Sequence, residues 1–344
     1  MPYSEAFLSS KLDPIRISYD DLVSATNFFA DDNLMNRGTY SDVYKGNLLR
    51  SEERIDVVIR RYYSSLTLRR IEFLKEIQEH SDLKHRNALS IVGFCDEYDE
   101  HMMVFDYQQN ESLEKYISDP TALTWSQRLK ICLGAASFLR YIHEDMKINS
   151  NHGYDHEIKS SKILLDRDWE AKVICFGFHI EYMSRYSYSK SSYTDPENNR
   201  SLGAGSQPDT GHYRISKSRS SYMSDVYSFG VILFEVLCGK KAEVKDRGAY
   251  DSFARMVKQE YEEGSLDYII NPVLRKQMHP ISLSIVSQIA YDCLQQTNRR
   301  PSMNRIVEGL QQALELSLKK ENLIVHSAHY IDTEKEKTKN ETIG

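Results

Sequence analysis

The sequence predicts an α+β chain in which a β-rich first third is followed by a larger helical part. Short runs of β-branched and aromatic residues alternate with polar turns over residues 33–61 and 88–107, and such runs are typical of strands. From residue 124 onward, apolar residues recur at helical spacing. The length of 344 residues accommodates two such parts of ordinary domain size.

Three helices can be placed from their caps and apolar faces. Ser18, with an acidic residue three positions later, predicts a short helix through Thr26. Residues 66–83 carry helical spacing between the two strand-rich stretches. Thr124 and Gln127 form a capping-box pattern ahead of a buried helix. Further helices are expected over residues 224–237, 281–294 and 302–318.

Composition excludes several classes of protein. Hydrophobic residues make up 40% of the chain and charged residues 27%, which supports a core of ordinary size. The net charge of −6 and the lack of a dense basic block argue against nucleic acid as a partner. The longest apolar stretch, residues 229–238, is shorter than the roughly 20 residues of a membrane span, and we expect no leader or lipid anchor. Five cysteines without a Cys-x-x-Cys pair fit a reducing, cytoplasmic location.

Three segments are expected to bury little apolar surface and to be flexible. They are residues 1–14, which lack periodicity; residues 182–224, which contain twelve serines and six tyrosines; and the charged tail 319–344. Serines of the middle segment that lie near basic residues are candidate targets of a partner kinase. These are Ser187, Ser189, Ser191, Ser192, Ser218, Ser220 and Ser221.

Two motifs carry a family resemblance. Asn36-Arg-Gly-Thr-Tyr-Ser-Asp-Val-Tyr-Lys-Gly46 and Ser224-Asp-Val-Tyr-Ser-Phe-Gly230 resemble the glycine-rich loop and the F helix of plant receptor-like protein kinases. The resemblance covers residues 17–318. It implies a bilobal kinase-like fold, with a small antiparallel sheet and a C helix over residues 15–108 and a larger helical lobe over residues 109–318. It also implies ATP as cofactor, with 182–224 as the activation segment.

The glycine-rich loop departs from the family pattern. Of the three glycines that let the backbone lie close to nucleotide phosphates, only Gly38 is present, while Asn36 and Ser41 fill the other positions. Added side chains favour a stiffer turn that no longer clamps phosphate. The resemblance further assigns nucleotide contacts to Val43, Phe105 and Tyr107.

The family's phosphate-holding lysine aligns with Arg60, and its C-helix glutamate with Glu76. Arginine keeps the charge but replaces a compact ammonium with a wide planar fork, so the exchange is not conservative in a tight site. The resemblance assigns both residues to the nucleotide site. We expect them to form an ion pair that closes the lobe, and contact of Arg60 with phosphate stays open.

Three of the family's catalytic positions are altered. In the catalytic loop only Lys159 matches, because Glu157 replaces the aspartate base and Lys162 replaces the asparagine that binds a second Mg²⁺. Cys175 replaces the aspartate of the Asp-Phe-Gly motif. An ammonium offers no lone pair, and thiolate sulfur suits soft metals rather than Mg²⁺. The residues therefore argue against Mg²⁺ binding.

The Pro-Glu motif that closes the family's activation segment has two candidate positions. The family's spacing, counted back from Asp225, places the motif near residues 212–213. The Asp-Pro-Glu at residues 195–197 contains the Pro-Glu pair but lies farther from Asp225 than the family's spacing. The first position leaves Arg300, which matches the arginine that pairs with this glutamate, without its usual partner. Asp225 matches the F-helix carboxylate that organises the catalytic loop.

Two functions remain open. The first is a receptor-like pseudokinase that scaffolds or regulates a partner, either an active receptor-like kinase or a receptor's cytoplasmic domain, at the inner face of the plasma membrane through that partner. The second is a slow, atypical Ser/Thr kinase that binds ATP and uses Glu157 as its base. Phosphoryl transfer depends mainly on positioning and on charge neutralisation by metal ions, so the altered residues favour the first.

Overall fold

The computed structural model describes residues 4–38, 40–64, 69–145, 158–174, 192–197, 220–242 and 252–341. The chain forms two compact units. The first contains a five-stranded antiparallel sheet and the second is mainly helical, which confirms the bilobal α+β class. The first unit comprises Met1–Glu111, Leu164–Asp168 and Lys172–Tyr188, and the second comprises Ser112–Ile163, Trp169–Ala171 and Ser189–Gly344.

The sheet of the first unit has the strand order β1-β2-β3-β5-β4. The side chains of its central strand contribute to two buried clusters, because successive side chains of a strand point to opposite faces of the sheet. Val57 and Ile59 lie in one cluster, while Tyr62 lies in the other. The strands are β1 Leu34–Arg37, β2 Ser41–Arg50, β3 Glu53–Tyr62, β4 Ile91–Cys95 and β5 Met102–Asp106.

Three helices accompany this sheet: α1 Glu5–Leu12, α2 Tyr19–Ala25 and α3 Arg70–Asp82. As predicted, the Ser18 hydroxyl caps α2, where it accepts from the amide of Asp21. The N-terminus differs from the expectation of a flexible segment. Leu8 and Leu12 of α1 are buried in one cluster with residues of α3, because their spacing of four places both on one helical face.

The second unit is built on buried helices. The guanidinium of the fully buried Arg128 donates to the main-chain carbonyls of Tyr116, Ile117, Asp119 and Leu123. The remaining elements are α4 Glu114–Ile117, α5 Trp125–Arg140, β6 Ile163–Leu165, β7 Ala171–Val173, α6 Ser220–Cys238, α7 Ser252–Glu262, α8 Pro272–Gln277, α9 Pro280–Cys293 and α10 Met303–Glu341. Within the described part of the chain, none of the helices combines the length and apolar composition that crossing a bilayer takes.

The capping box at the start of α5 is formed as predicted. The Thr124 hydroxyl accepts from the Gln127 amide at 3.2 Å, and the Gln127 side chain accepts from the Thr124 amide at 2.8 Å. We expect T124A to lower the free energy of unfolding by about 1 kcal/mol in urea denaturation, since an N-cap hydroxyl contributes that much. T124S keeps the hydroxyl and should stay near wild type. Equal losses in both variants would contradict this role.

Helix α10 runs to Glu341, so residues 319–341 are helical where the sequence reasoning expected a flexible tail. Between residues 310 and 343 there is no glycine or proline, and lysine and glutamate are good helix formers. Lys320 also ties the helix to the end of α8, because its Nζ donates to the carbonyls of Lys276 and Met278 at 2.9 Å.

The segment 182–224 also differs from expectation where it is described. Ser192, Tyr193 and Asp195 are almost fully buried, and α6 begins at Ser220. The Ser192 hydroxyl donates to the carbonyl of Ala242 at 2.9 Å, so Ser192 is not an accessible phosphorylation site. Residues 182–191 and 198–219 lie outside the described residues, as do the side chains of the remaining candidate serines.

Candidate functional site

A cavity of about 130 Å³ lies within the first unit. Four of the residues predicted to contact nucleotide line it, namely Val43, Arg60, Glu76 and Phe105. The other lining residues are Val58, His80, Leu89, Met103, Asp106, Leu164 and Ile174. The wall is therefore mostly apolar, with Arg60, Glu76, His80 and Asp106 as its ionisable groups.

The position of Arg60 follows from the pairing of β2 with β3. Val43 lies opposite Arg60, and Ser41 lies opposite Tyr62, so Ser41 is the diagonal neighbour of Arg60 on the same face of the sheet. Arg60 Nε donates to Ser41 Oγ at 2.9 Å. The guanidinium also lies over the Tyr62 ring, 5.1 Å from its centroid.

Glu76 does not pair with Arg60, which corrects the expectation from the sequence. Among the described residues no ion pair joins the two, and Glu76 Oε1 is buried without a hydrogen-bond partner. Burial of the carboxyl raises the pKa of Glu76 to about 8, although the positive charge of Arg60 opposes the rise. A carboxyl in this environment is mostly protonated at neutral pH.

Sequence reasoning missed His80, which lies one turn after Glu76 on α3. Burial lowers the pKa of His80 to about 3, and the charge of Arg60 acts in the same direction. The His80 ring packs edge-on against Phe105, with 5.4 Å between centroids. The spacing of four residues from Glu76 was the signal that could have placed it in this wall.

The glycine-rich loop is tied to the end of β3. The amide of Gly38 donates to the carbonyl of Ser41 at 2.9 Å. The Tyr63 hydroxyl lies 3.1 Å from the carbonyl of Gly38 and 2.7 Å from Asp42 Oδ1. A Cβ added at Gly38 would stand 2.9 Å from the Ser41 carbonyl oxygen, so this turn requires glycine.

Tyr107, the remaining predicted contact of the first unit, follows β5. Its amide donates to the carbonyl of Asp56 at 3.3 Å, and Lys45 Nζ lies 4.2 Å from the centroid of its ring. Tyr107 is not among the residues that line the cavity.

The catalytic-loop residues that the structure describes belong to the second unit. Lys159 precedes the short 3₁₀ turn Ser160–Lys162, and its Nζ lies 5.8 Å from the centroid of the Tyr193 ring. The amide of Lys162 donates to the carbonyl of Lys159 at 2.9 Å. Glu157 and Cys175 lie outside the described residues, so for them only the residue type is established.

Arg300 has a buried partner, and that partner comes from the Asp-Pro-Glu at residues 195–197. Its guanidinium binds the Asp195 carboxylate at 2.5 and 2.9 Å, and both side chains are 1% exposed. Glu197 accepts from the amide of Thr297 at 3.0 Å. Placing the motif near residues 212–213 predicted that Arg300 lacks its usual partner. That prediction is wrong, because Arg300 binds Asp195.

Asp225 is buried near the start of α6. Its Oδ2 lies 2.9 Å from Nε2 of His143, which belongs to the π-helical turn Tyr141–Asp145 directly after α5. Asp225 thus joins the first part of α6 to the turn that follows α5.

Tyr193 and Glu235 form a second buried contact that sequence reasoning missed. The Tyr193 hydroxyl donates to Glu235 Oε1 at 2.8 Å, and the amide of Ala242 donates to the same oxygen at 2.7 Å. Burial raises the pKa of Glu235 to about 7. A single carboxylate inside the apolar run 229–238 was the available signal, because a buried charge requires partners.

The residues at the family's metal positions do not fit Mg²⁺. Mg²⁺ takes oxygen ligands in near-octahedral geometry, whereas position 162 supplies an ammonium and position 175 a thiol. The cavity of the first unit has a volume of about 130 Å³. It is therefore smaller than typical small-molecule pockets, which measure about 300–1,000 Å³.

Comparison with known proteins places the chain among kinases. The family model described as protein tyrosine and serine/threonine kinase matches residues 30–310. The chain is 31% identical to the L-type lectin-domain containing receptor kinase SIT1 of Oryza sativa subsp. japonica, over 88% of this chain and 43% of that protein. It is also 32% identical to the receptor-like protein kinase THESEUS 1 and 30% identical to FERONIA, both of Arabidopsis thaliana, over 87% of this chain.

The chain spans about a third to two fifths of the length of these relatives, with 34% of THESEUS 1 and 32% of FERONIA covered. The region matched by the family model includes parts of both units, among them the cavity wall, Asp225 and Arg300. The chain therefore belongs to the protein tyrosine and serine/threonine kinase family, and its kinase domain is similar to those of plant receptor-like kinases.

Proposed function

We propose that this protein is a receptor-like pseudokinase, a kinase domain that acts by binding a signalling partner and transfers phosphate slowly or not at all. The observation that carries the proposal is the pair of residues at the metal positions, Lys162 and Cys175. Kinase catalysis rests on metal ions that neutralise the developing charge of the phosphoryl group. An ammonium and a thiol cannot hold those ions.

The residues of the first unit that correspond to the family's nucleotide contacts also support a pseudokinase. Arg60 is bound to Ser41, and the buried carboxyl of Glu76 has no ion-pair partner among the described residues. In active kinases the corresponding lysine and glutamate must pair for phosphate to be positioned. The hydrogen bond from the Tyr63 hydroxyl to the carbonyl of Gly38 further restricts the loop that would cover the phosphates.

The intact scaffold supports a role in binding. Asp225 and Arg300, which matter for the fold rather than for chemistry, both keep buried partners in the second unit. We propose an active receptor-like kinase, or the cytoplasmic domain of a receptor, as the partner. A cytoplasmic position at the inner face of the plasma membrane then follows from that partner. The similarity to proteins that are named as receptor kinases supports this choice.

Transfer of labelled γ-phosphate tests the proposal. We expect the purified chain to phosphorylate itself and a generic protein substrate at less than about 0.1 per second, against roughly 1–100 per second for typical kinases. The triple variant E157D/K162N/C175D restores the family's base and both metal ligands and should gain at least about 100-fold, because misplacement by about 1 Å alone can cost that much.

The matched control is E157N/K162N/C175D, which carries the same metal ligands without a carboxylate base and should not gain activity. Wild-type turnover above about 0.1 per second would overturn the proposal, and a rate between that value and the typical range of roughly 1–100 per second would favour the slow-kinase alternative. In a second arm, the wild-type chain is added to the kinase domain of an active receptor-like kinase. Binding with a changed rate of that kinase is expected, and the absence of binding would argue against the proposed partner.

A further inference from the structure

Two departures from the family pattern contact each other in the first unit. Ser41 stands at the third glycine position of the glycine-rich loop, and Arg60 stands at the lysine position of β3. They are diagonal neighbours on paired strands, and Arg60 Nε donates to Ser41 Oγ at 2.9 Å. A glycine at position 41 offers no hydroxyl, so this hydrogen bond depends on the serine side chain.

Glu76 is the residue with which Arg60 is expected to pair, but among the described residues no ion pair joins the two. Both residues line the same cavity, and Glu76 is only 7% exposed. Within the part of the chain that the structure describes, its Oε1 atom has no hydrogen-bond partner, and burying a carboxyl without a partner is costly. Pairing with a guanidinium in the same cavity would relieve that cost. In the structure the Arg60 guanidinium instead donates to Ser41 Oγ.

We propose that Ser41 is a positioning residue that holds Arg60 at the glycine-rich loop and thereby prevents the ion pair between Arg60 and Glu76. The inference deepens the proposed function and rests on it in one respect, namely that a lobe without this ion pair is the working form of the protein. The geometry that carries it lies entirely within the first unit.

The titratable and charged groups around Glu76 come from three elements. Arg60 and Tyr62 face it from β3, Glu79 and His80 lie on its own helix α3, and Asp106 at the end of β5 shares the cavity wall. Among these groups, Arg60 is the one hydrogen-bonded to the Ser41 hydroxyl, so we expect removal of that hydroxyl to act on Glu76 through Arg60. A change in the ionisation of Glu76 therefore reports where Arg60 lies.

The experiment is a pH titration of the Glu76 side-chain carboxyl by ¹³C NMR in the full chain, with E76Q used to assign the signal. In S41A and S41G, Arg60 is released and should pair with Glu76. We expect the Glu76 pKa to fall by about 1 to 3 units, a tenfold to thousandfold change in the acid constant, as for a carboxyl that gains an adjacent cation. S41T retains a hydroxyl and should titrate like wild type.

The double variant S41A/R60M separates this role from a loss of structure. Without the guanidinium the pKa should not fall, whereas unfolding would lower it in both S41A and S41A/R60M. An unchanged pKa in S41A and S41G, an equal fall in S41T, or a fall that persists in S41A/R60M would each overturn the proposal. Because no phosphate transfer is measured, this result is independent of the activity that tests the proposed function.

Discussion

D195A is expected to lower the free energy of unfolding by about 3 to 5 kcal/mol. The carboxylate of Asp195 is the buried counter-charge of Arg300, and removing one partner of a buried ion pair leaves the other charge uncompensated. The two remaining acceptors of the guanidinium are the carbonyls of Gln295 and Met223, and neither carries a full charge. Urea denaturation followed by circular dichroism measures the loss.

The matched control is D31A, which removes an aspartate from the exposed pair that Asp31 forms with Arg37. Exposed pairs contribute about 0 to 1 kcal/mol, so D31A should stay near wild type. The double variant D195A/R300M removes both charges and should recover part of the stability lost in D195A. A loss in D195A no larger than in D31A would contradict a structural role for the pair.

The difference in the free energy of unfolding between wild type and E76Q is expected to change with pH. Wild type should lose about 4 to 5 kcal/mol relative to E76Q as pH rises from about 4.5 to 8. Burial raises the pKa of Glu76 to about 8 in the folded chain, whereas the unfolded chain ionises near the ordinary value. Between these values the folded state binds more protons than the unfolded state, so stability decreases with rising pH.

Comparison with E76Q is needed because His80 acts in the opposite direction. Its folded pKa is about 3, so the unfolded state binds more protons below about pH 6.5, and stability there rises with pH. The His80 contribution is present in both proteins and cancels in the difference. Denaturant unfolding at intervals across this pH range measures the effect, and a difference that does not change with pH would show that Glu76 ionises normally.

Local features of the chain could be predicted well because neighbouring residues determine them. The caps at Ser18 and Thr124 depend on residues three positions apart, and the β-branched run at residues 55–59 indicated a strand, which is part of β3. The N-terminal helix was missed because Leu8 and Leu12 gain stability only against α3, which is more than 50 residues away in sequence. A short helix is marginal without such packing.

By itself the sequence determined the resemblance to kinases, the β-rich part followed by the helical part, and the residue types at the metal positions, since these are carried by ordered motifs and by side-chain chemistry. Only the tertiary structure decided which side chains meet. Arg60 could bind either Glu76 or Ser41, and it binds Ser41 because strand register makes that hydroxyl its diagonal neighbour. Arg300 meets Asp195, 105 residues earlier in the chain. No spacing rule specifies such contacts, because folding brings distant residues together by packing rather than by their separation in sequence.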